Sequence, residues 1–118
     1  MGAVATATDP PPAGEAIDIH HLARMTLGER TLQREVLALF DRQADMLLPR
    51  IRGGAPALAA ASAHTLKGSA VGIGAFKVAR AVEQVEQARD AAVAAAIETL
   101  ATVLEEAKAE IARLLQVS

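Results

Sequence analysis

The stretch DAAVAAAIETLATVLEEAKAEIARLL, residues 90–115, decides the fold. Within it Val93, Ile97, Leu100, Leu104, Ala107, Ile111 and Leu114 recur at alternating spacings of four and three, which gathers them on one stripe of an α-helix. Glu98, Glu105, Lys108, Glu110 and Arg113 fall outside that stripe, so the apolar seam faces a core and the charges face water. Asp90 stands where a side-chain cap is wanted and predicts the helix start. A seam does not say whose helix it meets: a neighbour in the same chain and the partner helix of a coiled-coil dimer both satisfy it.

Working outward from this helix, a further one is predicted from about Ala75 to Ala88. Before it, Pro56 suits the first turn of a long helix that runs through Leu58, Leu66 and Ser69 until Gly72 and Gly74 end it. Earlier still, Thr26 is placed to cap a helix whose apolar residues Leu32, Val36, Leu39, Phe40, Leu47 and Ile51 follow a three-to-four spacing. Pro49 is expected to kink or fray its end before Gly53-Gly54 stops it. Asp18 can cap a short helix over Ile19–Met25. Residues 1–16, rich in Ala, Thr and Pro with the run Pro10-Pro11-Pro12, read as a flexible leader to a single domain over 17–118. Short Gly-containing connections make long helices antiparallel neighbours. The fold class expected is therefore all-α, an up-down-up-down four-helix bundle with a short additional N-terminal helix.

Composition narrows the function. A chain of 118 residues is one domain by length, too small for a nucleotide site beside a substrate site. Its apolar fraction of 52% is mostly Ala, Leu and Val, with Phe40 and Phe76 the only aromatics, a mix that favours helix packing. A net charge of −2 with interspersed signs gives no basic field for nucleic acid, and there is no stacking platform. The absence of Cys excludes disulfides and thiolate metal sites, in keeping with a cytoplasmic protein. No apolar run of about twenty residues predicts a membrane span.

His64 is the centre of interest. On a wheel of the helix that starts at Pro56, Leu58, Ser62, Thr65, Leu66, Ser69 and Ile73 gather as the expected buried stripe, and His64 lies nearly opposite. Around it stand Ala57, Ala60, Ala61, Lys67, Gly68 and Val71, small side chains and one cation where a surface helix ordinarily carries Glu, Gln and Arg. That face looks prepared for contact with a partner. Gly68, one turn beyond His64, costs about 0.5–1 kcal/mol relative to Ala inside a helix; close approach of another molecule and tight packing on a neighbouring helix explain it equally well. If the chain reverses near Gly74-Ala75, His64 pairs with a position near Glu86. Glu86, or Glu83, Gln84 or Gln87 in another register, could accept a hydrogen bond from one ring N–H and leave the other nitrogen free as a nucleophile. Lys67 could steady negative charge added to that ring.

The segment Ala63-His64-Thr65-Leu66-Lys67-Gly68-Ser69-Ala70, followed by Gly74-Ala75, resembles the phosphorylation-site signature of histidine-containing phosphotransfer (HPt) domains of bacterial two-component phosphorelays, and the similarity extends over about Ile17 to Leu115. The resemblance implies that His64 accepts and donates a phosphoryl group, that Lys67 assists, that Gly68 permits docking, and that a polar residue on the next helix such as Glu86 orients the ring. It implies a receiver domain of a response regulator as partner, whose aspartate exchanges the phosphoryl group with His64, and a hybrid or sensor histidine kinase upstream. Mg²⁺ is then expected on the receiver, and no cofactor on this chain. Val78 and Val82 depart from the leucines common in the family.

Three rival readings stand beside this one. A sensor kinase needs Asn-rich and Gly-rich ATP-binding motifs that the sequence lacks, so a carrier without kinase activity of its own is expected. A metal- or haem-binding bundle needs Glu-x-x-His or His-x-x-x-His pairs, which are absent; His20 and His21 are adjacent and point apart. A non-catalytic helical interaction or oligomerisation module could use the small-residue face or the last seam.

Overall fold

The computed structural model describes residues 15–116, so residues 1–14 of the predicted leader and the last two residues of the chain lie outside it. Five helices follow in order: α1 Ile19–Met25, α2 Arg30–Gly53, α3 Pro56–Ile73, α4 Phe76–Gln87 and α5 Ala92–Gln116. The long helices pack as a closed ring, α2 on α3, α3 on α4, α4 on α5 and α5 back on α2, with α1 laid against α3. This is the all-α four-helix bundle with a short N-terminal helix.

The α5 seam is buried as its spacing predicts, with Ile97, Leu100, Leu104, Ala107 and Ile111 in the core and Val93 and Leu114 half-buried at its ends. Its counterpart on α2 is Leu37, Phe40, Ala44, Leu47 and Ile51, the same alternation of three and four. Leu32 and Leu39, expected inside, are exposed instead, and Val36 is half-buried. A helix buries a stripe rather than its largest residues, and Ala44 completes that stripe where Leu39 cannot. On α3 the buried set is Ser62, Ala63, Leu66, Ala70 and Ile73, while Leu58 and Thr65 face solvent. Ala63 and Ala70 let neighbouring helices come close, and this turns the stripe away from Leu58.

Two caps differ from expectation. Thr26 does not start α2: its hydroxyl donates back to the Leu22 carbonyl at 2.7 Å, closing α1. Leu27 and Gly28 then take left-handed conformations, φ 55° and 73°, and α2 begins only after Glu29. Asp90 also has a positive φ, 52°, whereas an N-cap needs extended backbone. It meets the next helix through its carbonyl, which accepts the Val93 N–H at 3.1 Å. Gly53-Gly54 ends α2 as expected, with Gly54 as its C-cap and Pro49 inside it. The helix continues past Pro49 to Gly53, because Ile51 is buried and holds the last turn in place.

Asp18 caps α1 as predicted, its Oδ1 accepting the His21 N–H at 3.1 Å. The Asp18 N–H donates to the Gly74 carbonyl at 2.9 Å, fastening the bundle entrance to the α3–α4 turn. Gly74 has φ 84°, and a Cβ there would stand 2.8 Å from the Asp18 carbonyl oxygen. Gly74→Ala is therefore expected to cost about 1–3 kcal/mol, from left-handed strain and displacement of the α1 entrance, measured by denaturant unfolding. An unchanged midpoint would show that this turn is not fixed by its glycine.

Ion pairs brace the outside. Lys108 on α5 donates to Asp41 and Asp45 on α2 at 2.7 and 2.8 Å. Burial works against its charge, but hydrogen bonds to the two carboxylates and their negative charge outweigh this, so its pKa is raised above the ordinary lysine value.

Candidate functional site

His64 projects from the outer side of α3, exposed to solvent. The reason is periodic: Ala63 and Leu66 are buried, which forces position 64 outward. Ala57, Ala60, Ala61, Gly68 and Val71 are likewise exposed, so the small-residue face anticipated around the ring exists as one surface. A Cβ added at Gly68 would meet nothing within 4 Å. Packing against a neighbouring helix therefore does not explain this glycine, and room for an approaching molecule remains.

Lys67 is half-buried beside the same face, and its Nζ donates to Glu86 Oε1 on α4 at 3.0 Å. This corrects the expected pairing of Glu86 with the imidazole. The chain turns over Gly74 and Ala75, α4 begins only at Phe76, and Lys67 rather than His64 reaches Glu86. No described residue hydrogen-bonds the His64 ring, and Glu83, Gln84 and Gln87 are exposed and make no hydrogen bond to it. The cation and the carboxylate thus form a pair one turn from an unengaged imidazole.

Sequence reasoning missed an apolar groove beside this face. Met25, Leu32, Val36 and Leu39 line it from α1 and α2, and Ser69, Gly72 and Ile73 from α3. Leu32 and Leu39, which the three-to-four spacing places in the core, do not fit the buried alternation of Leu37, Phe40, Ala44 and Leu47, and that misfit is the sequence signal for the groove.

The other histidines are elsewhere. His20 is exposed, and the His21 ring packs edge-on against Phe76 with centroids 5.0 Å apart. Among the described residues no group of three or more His, Cys, Asp or Glu is placed to hold a metal ion, and no helix is long and apolar enough to cross a membrane.

Residues 30–116 match the family model of the Hpt domain. The chain is also similar to the crystal structure of the histidine phosphotransferase ShpA from Caulobacter crescentus, with a TM-score of 0.70 and 30% sequence identity over 86% of this chain and 92% of that one. No curated protein matches it.

Proposed function

The chain belongs to the Hpt domain family and has a phosphotransfer role in two-component signalling; from that premise we propose that His64 relays a phosphoryl group to and from an aspartate of a response-regulator receiver domain. The observation that carries this reading is the exposed, unengaged imidazole on a face of small side chains.

A ring nitrogen of neutral His64 attacks the phosphorus of the receiver's aspartyl phosphate in line. The N–P bond forms as the acyl-phosphate P–O bond breaks, and the carboxylate leaves with the bonding pair. The reverse step returns the group to an aspartate. Lys67, one turn along α3, is the cation able to follow the transferred oxygens. Mg²⁺ belongs to the receiver in this proposal, and this chain, working in the cytoplasm, contributes no cofactor and no kinase activity. A hybrid or sensor histidine kinase supplies the group upstream.

The receiver docks through Ala57, Ala60, Ala61, Gly68 and Val71, with the Met25–Leu39 groove alongside. Gly68 yields a two-sided expectation. Gly68→Ala should stabilise the bundle by about 0.5–1 kcal/mol, since the helix gains propensity and nothing obstructs the methyl group. Gly68→Gln should likewise not destabilise the bundle, glutamine being a far better helix former than glycine, but should slow transfer about ten- to a hundredfold by holding the partner off, roughly 1.4–2.8 kcal/mol in the docked state. Normal transfer by the Gln variant, read by quench-flow, would remove Gly68 from the docking face.

The test of the function itself is incubation with a panel of receiver domains charged with acetyl phosphate and Mg²⁺. Label should move to this chain from at least one of them and be acid-labile and base-stable, as a phosphohistidine is. Failure of every receiver to label the chain, or an acid-stable label, would refute the proposal.

A further inference from the structure

Lys67 and Glu86 join α3 to α4 at 3.0 Å, and their side chains are 28% and 32% exposed, so water competes for the pair only in part. Positions 64 and 67 are neighbours on one helical face, about 5–6 Å apart at Cβ. The lysine stem has enough rotamers for Nζ to reach either the Glu86 carboxylate or a group carried by the imidazole. One ammonium thus has two competing anions, one fixed and one transient.

We infer that Glu86 is a reversible counter-ion: it holds Lys67 while His64 is free and surrenders it when His64 is loaded, and so sets how strongly His64 retains a phosphoryl group. The inference rests on the phosphorelay reading of His64. A phosphoryl group carries roughly −1.5 to −2 charge near neutral pH against −1 for the carboxylate, so the ammonium moves to the heavier charge. Because the Glu86 contact must be broken first, the loaded form gains less from Lys67 than it would from a free lysine. Glu86 is in this sense a positioning residue. It weakens the N–P state and favours donation to an aspartate, acting through Lys67 rather than on the phosphorus.

The measurement is the equilibrium ratio of phosphorylated to free chain, against a receiver domain that labels the unmodified protein. Glu86→Gln keeps the shape and removes the charge. It should shift that ratio toward phosphohistidine by about two- to fivefold, the range expected for losing a partly exposed ion pair. In a Lys67→Met background the same change should leave the ratio where Lys67→Met alone puts it, a coupling that altered packing would not produce. An unchanged ratio in the single variant, a shift toward the receiver, or an equal shift without Lys67 would each overturn the inference. None of those results touches the phosphorelay reading, which fails only if the unmodified chain takes no label on His64.

Discussion

His64→Gln is expected to abolish labelling by phosphorylated receivers, a loss of at least about a thousandfold, while the bundle and its partner affinity stay nearly intact. Glutamine retains a polar, planar end group of comparable reach, but its amide nitrogen has no free lone pair with which to attack phosphorus. The structure predicts little collateral damage. The ring is exposed, no described residue hydrogen-bonds it, and its removal opens no cavity; such surface changes usually fall within about 0.5 kcal/mol. Autoradiography of the transfer reaction reads the loss, and titration calorimetry with an unphosphorylated receiver reads the retained docking. Labelling that survives in this variant would place the acceptor elsewhere, and His20, the other exposed histidine among the described residues, would be the first to examine.

What could be read in the residues, and what could not, divides along physical lines. The α5 seam was legible because six of its seven positions carry Val, Ile or Leu, and every Glu, Lys and Arg of the helix falls outside it. α2 was harder: Leu32 and Leu39 outweigh Ala44 on any hydropathy scale, yet Ala44 is buried and they are not. Burial follows geometry over many turns, and an alanine on the right stripe displaces a leucine on the wrong one. Thr26 and Asp90 have the right chemistry for caps, but each is governed by a reversal of the backbone through left-handed residues, which composition does not reveal.

The site followed the same division. The outward direction of His64 and the open face around it came from periodicity and small residues on one helix, both of which are local. The partner of Glu86 was not local. It depended on how far α4 is displaced along α3, and a shift of one turn exchanges histidine for lysine. The correction carries chemical content, since a carboxylate on the ring would fix a tautomer, whereas a carboxylate on the lysine regulates a counter-charge.

Phe40→Ala is the substitution expected to damage the scaffold most, by about 3–5 kcal/mol. Phe40 heads the fully buried side chains, with 1% of its surface exposed, and it lies on the α2 stripe beneath the groove whose α3 wall is Ser69, Gly72 and Ile73. Truncation removes an aromatic ring and leaves space that α3 can fill only by leaning inward, so the penalty includes a cavity as well as lost burial. In a domain of this size each kcal/mol lowers the melting temperature by roughly 4–8 °C, and calorimetry should show a fall on the order of 15–30 °C. The transfer chemistry should respond differently. His64 lies on the opposite side of α3 from the buried stripe, so well below the new midpoint the folded fraction should still accept label at His64, with any loss of rate coming from a groove that has changed shape. A variant that melts normally would mean that Phe40 is not a packing centre. One that stays folded but takes no label would show that the ring and the core are not separable, contrary to a bundle whose inside sets stability and whose flank carries the chemistry.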